Sequence, residues 1–335
     1  MARSSLARPP HLPYAPFRIP SIGDMSTSSA AVSLEPRDLR IAPARRRREF
    51  LIRMGFLGAA IFSVLISAAI VLSLVGNAAT FFVEVDKSKL ISDGWFPRRD
   101  MYDLATIVAG TLIIAGVAMI VATPLGLGAG VYLSEYATPR VRKTLKPMIE
   151  ILASIPSVVL GFWALTWLSP TIIQPLTGAP LSNMFVAGLA VGVLITPLVA
   201  TVSEDALHAV PLYLREASYG LGARKRTTSL SVVFPAAVSG IVAALLLAFS
   251  RAIGETMIVA LVAGGTGGSL FQINPFEQGQ TMTAAMTALA IGSDQVRGAA
   301  LAFESLFFVG FLLFVVTLFL NLSSEAFVRR VRKQY

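Results

Sequence analysis

The sequence predicts an all-α integral membrane protein with six transmembrane helices, and three observations carry the prediction. Of 335 residues, 55% are hydrophobic and 14% charged, against about 25% charged in an ordinary soluble protein. Apolar runs of about 20 residues, the length that crosses a bilayer, recur along most of the chain. Lys and Arg collect in segments between alternate runs, where they set orientation. The formal net charge of +9 is therefore read as charge that orients the chain in the lipid bilayer, and no nucleic acid is expected as a partner. Zero cysteines exclude disulfides, thiolate metal sites and a cysteine nucleophile. His11 and His208 lie far apart with no ligand cluster around them, so neither a metal nor a cofactor is expected.

Residues 1–48 are rich in Pro, Ser, Ala and Arg, lack apolar periodicity and end in "ARRRREF". They are expected to form a disordered basic tail, and either Met1 or Met25 can serve as its start. No small-residue cleavage site follows the first apolar run, which favours a retained span over a cleaved signal. Residues 49–335 read as one membrane domain with spans at about Met54–Gly76, Leu104–Leu133, Met148–Leu168, Met184–Val202, Ala236–Ala263 and Ala300–Leu320. The second is long enough to need a tilt, or the kink that Pro124 in "TPLGLGAG" supplies. Trp163 and Trp167 read as interface anchors near the outer end of the third.

The basic segments Arg45–Arg48, Arg140–Lys146, Arg215–Arg226 and Arg329–Lys333 all fall on one side of a six-span arrangement. By the positive-inside rule that side is cytoplasmic, and so are both termini. The outer side then holds the loops 77–103, 169–183 and 264–299. The cluster "GGTGGS" in the last of these has no following lysine, so it reads as a flexible exit from span five and not as a phosphate cradle.

Between spans four and five the chain reads "VPLYLREASYGLGARKRTTSLSVVFPAAVSG". Pro211 opens a helix, "LYLREASYGL" is amphipathic, and Gly222 supplies a turn before a second helix that runs toward Pro235. A helix, a turn and a helix on the inner face make a docking surface. The stretch resembles the coupling loop of ABC importer permeases: Glu-Ala-Ala, three residues, Gly, nine residues, Ile, one residue, Leu-Pro. Here Glu216, Ala217, Ser218, Gly222, Val232, Phe234 and Pro235 keep that spacing, with Ser218, Val232 and Phe234 as mild departures. The resemblance implies a type I ABC importer permease fold with a coupling loop at about 204–235. It also implies that Glu216, Ala217, Ser218, Gly222 and Pro235 meet a groove on a cytoplasmic ATPase subunit. The chain has no nucleotide-binding signature of its own, so it is expected to be a non-catalytic subunit.

The stretch "FSRAIGETMIVALV" places Arg251 and Glu255 in a lipid-length run, where each charge costs roughly 2.5 to 3.5 kcal/mol. Four residues apart, they share one face of a continuous helix, with Gly254 beside them to admit a backbone or a ligand. Arg251 lies about 22 Å along span five from Ala236, toward the outer leaflet. Arg before Glu is the weaker order for such a pair, so helix stabilisation is a poor reason for it. Two readings stand: an oxyanion path, with the arginine fork matched to phosphate oxygens and the carboxylate accepting from a protonated one, or an intramembrane ion pair between subunits.

"RAIGETM", with "ASIPSVVLGFWAL", "VAGTLIIAGVAMIVATPLGLGAGVYLSEY" and "TMTAAMTALAIG", is similar to the C-type permeases of the phosphate ABC importer. The resemblance covers about residues 50–335 and implies a bacterial plasma (inner) membrane protein that moves inorganic phosphate. Its implied partners are an A-type permease in a heterodimer, two ATP-binding subunits and an external phosphate-binding protein. Gln272, Asn274, Glu277 and Gln280 are candidates for the surface where that protein docks. Alternatives that remain are another oxyanion such as molybdate or sulfate, an ion-coupled secondary transporter and a membrane-embedded enzyme.

Overall fold

The computed structural model describes residues 43–91, 93–265, 267–292 and 301–331. The expected tail falls outside the described residues except for 43–48, which are helical. The chain divides at Ile66. Up to that point the described residues form the first part of α1 (Pro43–Glu84). From Ser67 the second unit holds the rest of α1 and every other element.

Six helices among the described residues are long and apolar enough to cross a membrane: Arg48–Glu84, Leu104–Tyr136, Ser157–Thr177, Met184–His208, Lys225–Ile253 and Ala302–Phe327. Span two is α2 (Leu104–Val131) closed by a wide π turn, Tyr132–Tyr136. Asp103 caps it by accepting from the Ala105 and Thr106 amides, each at 3.2 Å. Next comes α3 (Pro139–Ala153), where Thr138 is the cap and Pro139 the first residue, the position at which a missing N–H costs nothing.

The third span differs from its expected place. The chain leaves α3 at Ser154, turns at Pro156 and enters the membrane as α4 (Ser157–Trp163), a π stretch Ala164–Ile173 and α5 (Gln174–Thr177). The proline ends one helix and starts the next, so apolar Met148, Ile149, Ile151 and Leu152 belong to a separate amphipathic helix. Trp163 and Trp167 consequently sit within the span and stack at 5.5 Å, not at its outer end.

Span four is α6 (Met184–His208), capped by the Asn183 side chain on the Val186 amide at 2.8 Å. After it come α7 (Leu212–Gly220) and α8 (Lys225–Thr228), a π turn at Ser229–Val233 and α9 (Phe234–Ile253). Then follow α10 (Met257–Val262), α11 (Met282–Ile291) and α12 (Ala302–Val331).

Glycines set the closest packing, between α2 and α6. A Cβ on Gly188 would lie 2.6 Å from Val117 Cβ, and one on Gly192 would lie 2.9 Å from Val121 Cβ and 3.0 Å from the Ala118 carbonyl. From the other side, a Cβ on Gly126 would meet Val199 at 2.5 Å. Gly188 and Gly192 on α6, like Gly126 and Gly130 on α2, are four residues apart, the small-residue spacing that lets membrane helices touch backbone to backbone. Contacts climb both helices together, so spans two and four run parallel, as alternate spans must. Gly188→Leu is expected to cost about 1–3 kcal/mol by overpacking. Gly116→Leu, on the same helix pair but with nothing within 4 Å of its added carbon, should cost little. Thermal unfolding of the purified protein separates the two.

At the end of the molecule opposite α7, three short strands tie two loops together, where the sequence predicts none. β1 (Gly94–Phe96) pairs antiparallel with β2 (Met101–Tyr102) and with β3 (Ser269–Leu270). Trp95 and Tyr102 are buried there, and Tyr102 meets Phe81 edge-on at 5.1 Å. Gly264, Gly267 and Gly268 take φ of +91°, +89° and +128°. These glycines of the expected flexible exit thus hold backbone conformations that favour glycine, and a Cβ on Gly268 would strike the Phe96 ring.

Candidate coupling and translocation sites

The stretch expected as a helix, a turn and a helix has that form. Pro211 precedes α7, and Gly222 adopts φ +80° just past its end, where a residue without a side chain pays no strain. The next helical segment runs from Lys225 to Ile253 through α8, the π turn and α9. Pro235 would break a regular helix, since it lacks an N–H and its ring crowds the carbonyl four residues back. The π turn just before it, closed by Phe234 N–H on the Ser229 carbonyl, takes up that conflict.

Glu216 and Ala217 are exposed, and with them Leu212, Tyr213, Tyr219 and Leu221. Ser218 faces inward: its hydroxyl lies 2.9 Å from that of Thr228, and both residues are buried. The departure from alanine at that position therefore adds a hydrogen bond between the two helices of the loop.

Two ion clusters lie behind this surface, and reading the basic residues only as orientation charge misses their partners. Arg215 meets Glu135 at 3.0 Å. Glu204, fully buried near the end of α6, pairs with Arg142 and, at 2.8 Å, with Lys146. Lys146 also reaches Asp205 at 3.0 Å, and Arg142 reaches His208 Nδ1 at 3.3 Å. The acidic pair in "SEDA" at the end of an apolar span is the signal that pointed there, since a buried carboxylate needs a cation.

The Glu204 hydrogen bond, with Asp205 adding and partial burial opposing, holds the Lys146 ammonium above its usual range. A raised lysine pKa gives stability that is present below the unfolded value, about 10.4, and is lost as pH rises through the folded one. Arg142→Met is expected to cost about 3 kcal/mol, because it leaves Glu204 buried with one cation fewer. Glu204→Gln should cost less, because both cations are partly exposed and can turn to water. Unfolding curves that reverse this order would refute the account. In Lys146→Met the alkaline loss of stability should shrink.

The fifth span is not the continuous helix expected from the sequence. α9 ends at Ile253, and Gly254 to Thr256 separate it from α10. Glu255 is 4% exposed, and its Oε1 accepts from the Met257 amide at 3.2 Å, so it caps α10. The Thr283 hydroxyl donates to the Glu255 carbonyl at 2.6 Å, which ties the break to α11. Arg251 Nη2 is 3.8 Å from Glu255 Oε2, and the Arg251 side chain is 55% exposed. The two residues are brought together with unequal roles: Glu255 holds the break, while the guanidinium stands mostly open beside exposed Gly254 and Met257. A half-open cavity of about 430 Å³ includes Met257 in its wall and is lined mainly by α10, α11 and the glycine turn, with Trp95 and Arg98 also in its lining. Gln280 lines it and is buried, which removes it from the expected docking surface.

Residues 122–333 match the family described as "Binding-protein-dependent transport system inner membrane component". The chain is 31% identical to the phosphate transport system permease protein PstC of Pasteurella multocida over 307 residues, covering 85% of this chain and 93% of that one. It is 32% identical to PstC 1 of Mycobacterium tuberculosis over 266 residues, 73% of this chain and 78% of that one. Among solved structures, a chain of a bacterial alginate ABC transporter in complex with an alginate-bound periplasmic protein superposes with a TM-score of 0.60 at 15% identity, over 86% of this chain and 97% of that one. That likeness supports the fold alone. With six membrane-length helices, these matches place the chain in the family of binding-protein-dependent transport system inner membrane components, among the PstC permeases.

Proposed function

We propose that this chain is the C-type permease subunit of an ATP-driven importer of inorganic phosphate. The observation that carries the importer reading is the exposed α7 surface around Glu216 and Ala217, joined through the Gly222 turn to the helical segment Lys225–Ile253 that carries Arg251. Phosphate as substrate is supported by the names of the PstC relatives and by an open arginine fork suited to oxyanions.

In this reading the end carrying α7 and the basic segments faces the cytoplasm of the bacterial inner membrane, and both termini lie on that side. Two ATP-binding subunits hydrolyse ATP and grip Glu216, Ala217 and the Gly222 turn. An A-type permease completes the translocation path against the Arg251 surface. The external phosphate-binding protein docks at the opposite end, where Gln272, Asn274 and Glu277 remain candidates for the contact.

The test is uptake of radiolabelled phosphate into proteoliposomes that hold the complete complex, supplied with binding protein and internal ATP. Phosphate should enter only with ATP, and excess sulfate or molybdate should not compete. Competition by either would reassign the substrate. Uptake that needs no ATP but collapses with an uncoupler would replace the importer by an ion-coupled carrier.

A further inference from the structure

Arg215 stands immediately before Glu216 on α7, yet the two side chains have opposite surroundings. Glu216 is exposed, whereas the Arg215 side chain is only 14% exposed. Its guanidinium donates to the Leu207 carbonyl at 2.8 Å and the Val210 carbonyl at 2.5 Å, and it meets Glu135 Oε1 at 3.0 Å. Leu207 and Val210 sit at the end of span four, where the last carbonyls of a helix lack intrahelical donors. Glu135 belongs to the π turn that closes span two and is 5% exposed on its side chain. Its second oxygen accepts from the Ser229 hydroxyl at 3.3 Å, in the π turn at the start of span five. One ion pair behind the docking surface thus joins the ends of three spans to the helix that a partner would push.

Charge-assisted bonds of this kind are strong and directional, and the planar fork fixes the angle between the elements it holds. Lysine can satisfy Glu135 or a carbonyl, but it cannot hold all of them in one geometry. A helix required only to be present on the surface would need no such arrangement.

We propose that Arg215 and Glu135 form the pin through which displacement of α7 passes to spans two, four and five. Both are then positioning residues of the transport cycle. The pin rests on the importer reading above, because it has work to do only if a partner drives α7.

The experiment measures phosphate moved per ATP hydrolysed by the complete complex in proteoliposomes, normalised to assembled complex. In Arg215→Lys and in Glu135→Gln the ratio should fall about tenfold while ATP hydrolysis continues. The double variant should be no worse than the worse single one, since both remove the same link. Arg142→Met serves as the control for stability alone: it should lower the unfolding temperature and keep the ratio. Where Arg215→Lys or Glu135→Gln fails to assemble, Ser229→Ala weakens the same carboxylate contact and should lower the ratio by about threefold. An unchanged ratio in the assembled variants overturns the pin and leaves the importer reading standing. A wild-type complex that moves no phosphate with ATP overturns that reading, and the pin falls with it.

Discussion

In Ala217→Arg the ATP-hydrolysing subunits are expected to be lost from the purified complex while the permease itself stays folded. Ala217 is exposed near the centre of α7, between Glu216 on the outer face and Ser218 on the inner one. A long charged side chain there touches nothing within the chain, so its cost falls on whatever packs against the helix. Blocking the centre of a docking surface costs on the order of 3 kcal/mol, roughly a hundredfold in affinity. Co-purification of the ATPase read against the unfolding temperature checks both halves of the claim. Retention of the ATPase at wild-type stoichiometry would move the docking surface elsewhere.

Arg251→Gln is expected to lower phosphate uptake at least about tenfold, the loss that follows from removing one charged partner of an anion, with assembly and ATP hydrolysis retained. Glu255 needs two variants, because its carboxylate both faces Arg251 and caps α10. Glu255→Gln keeps an oxygen for the Met257 amide and removes only charge, so uptake should fall with little change in stability. Glu255→Ala also removes the cap, which costs about 1 kcal/mol, and should lower the unfolding temperature as well. Normal uptake in Arg251→Gln would reduce the pair to packing. Failure of the two permeases to assemble would make it an ion pair between subunits.

Local chemistry made much of this legible in advance. Spans two and four are announced by charge-free apolar runs and span six by one broken only at Glu304, and the loop from Pro211 to Pro235 by punctuation that has one backbone solution. The start of span three is obscured because Met148, Ile149, Ile151 and Leu152 are as apolar as membrane residues, and only Glu150, Pro156 and the bases of α3 mark them as a separate amphipathic helix. The break at Gly254 was hidden because a single glycine is tolerated inside helices, and its cause, Thr283 on the Glu255 carbonyl, lies 28 residues along the chain. Arg215 with Glu135, 80 residues apart, and Arg142 with Glu204 are long-range pairs that no periodicity encodes. Their basic members had a sufficient reason in membrane orientation, which concealed the second one.

The continuous helical segment from Lys225 to Ile253, its one wide turn included, makes span five a lever. It begins one short turn beyond Gly222 and finishes just before the break beside Glu255, so Arg251 rides near its far end about 39 Å from the start. A tilt of about 5° around the inner end would carry the guanidinium roughly 3 Å, the length of one hydrogen bond. An arginine moved that far gains or loses an anion outright without any change in its own rotamer. Access for the solute would then be set by the angle of a rod, and a substitution that softens the rod at its middle should make transport leak or stall while leaving both of its ends intact.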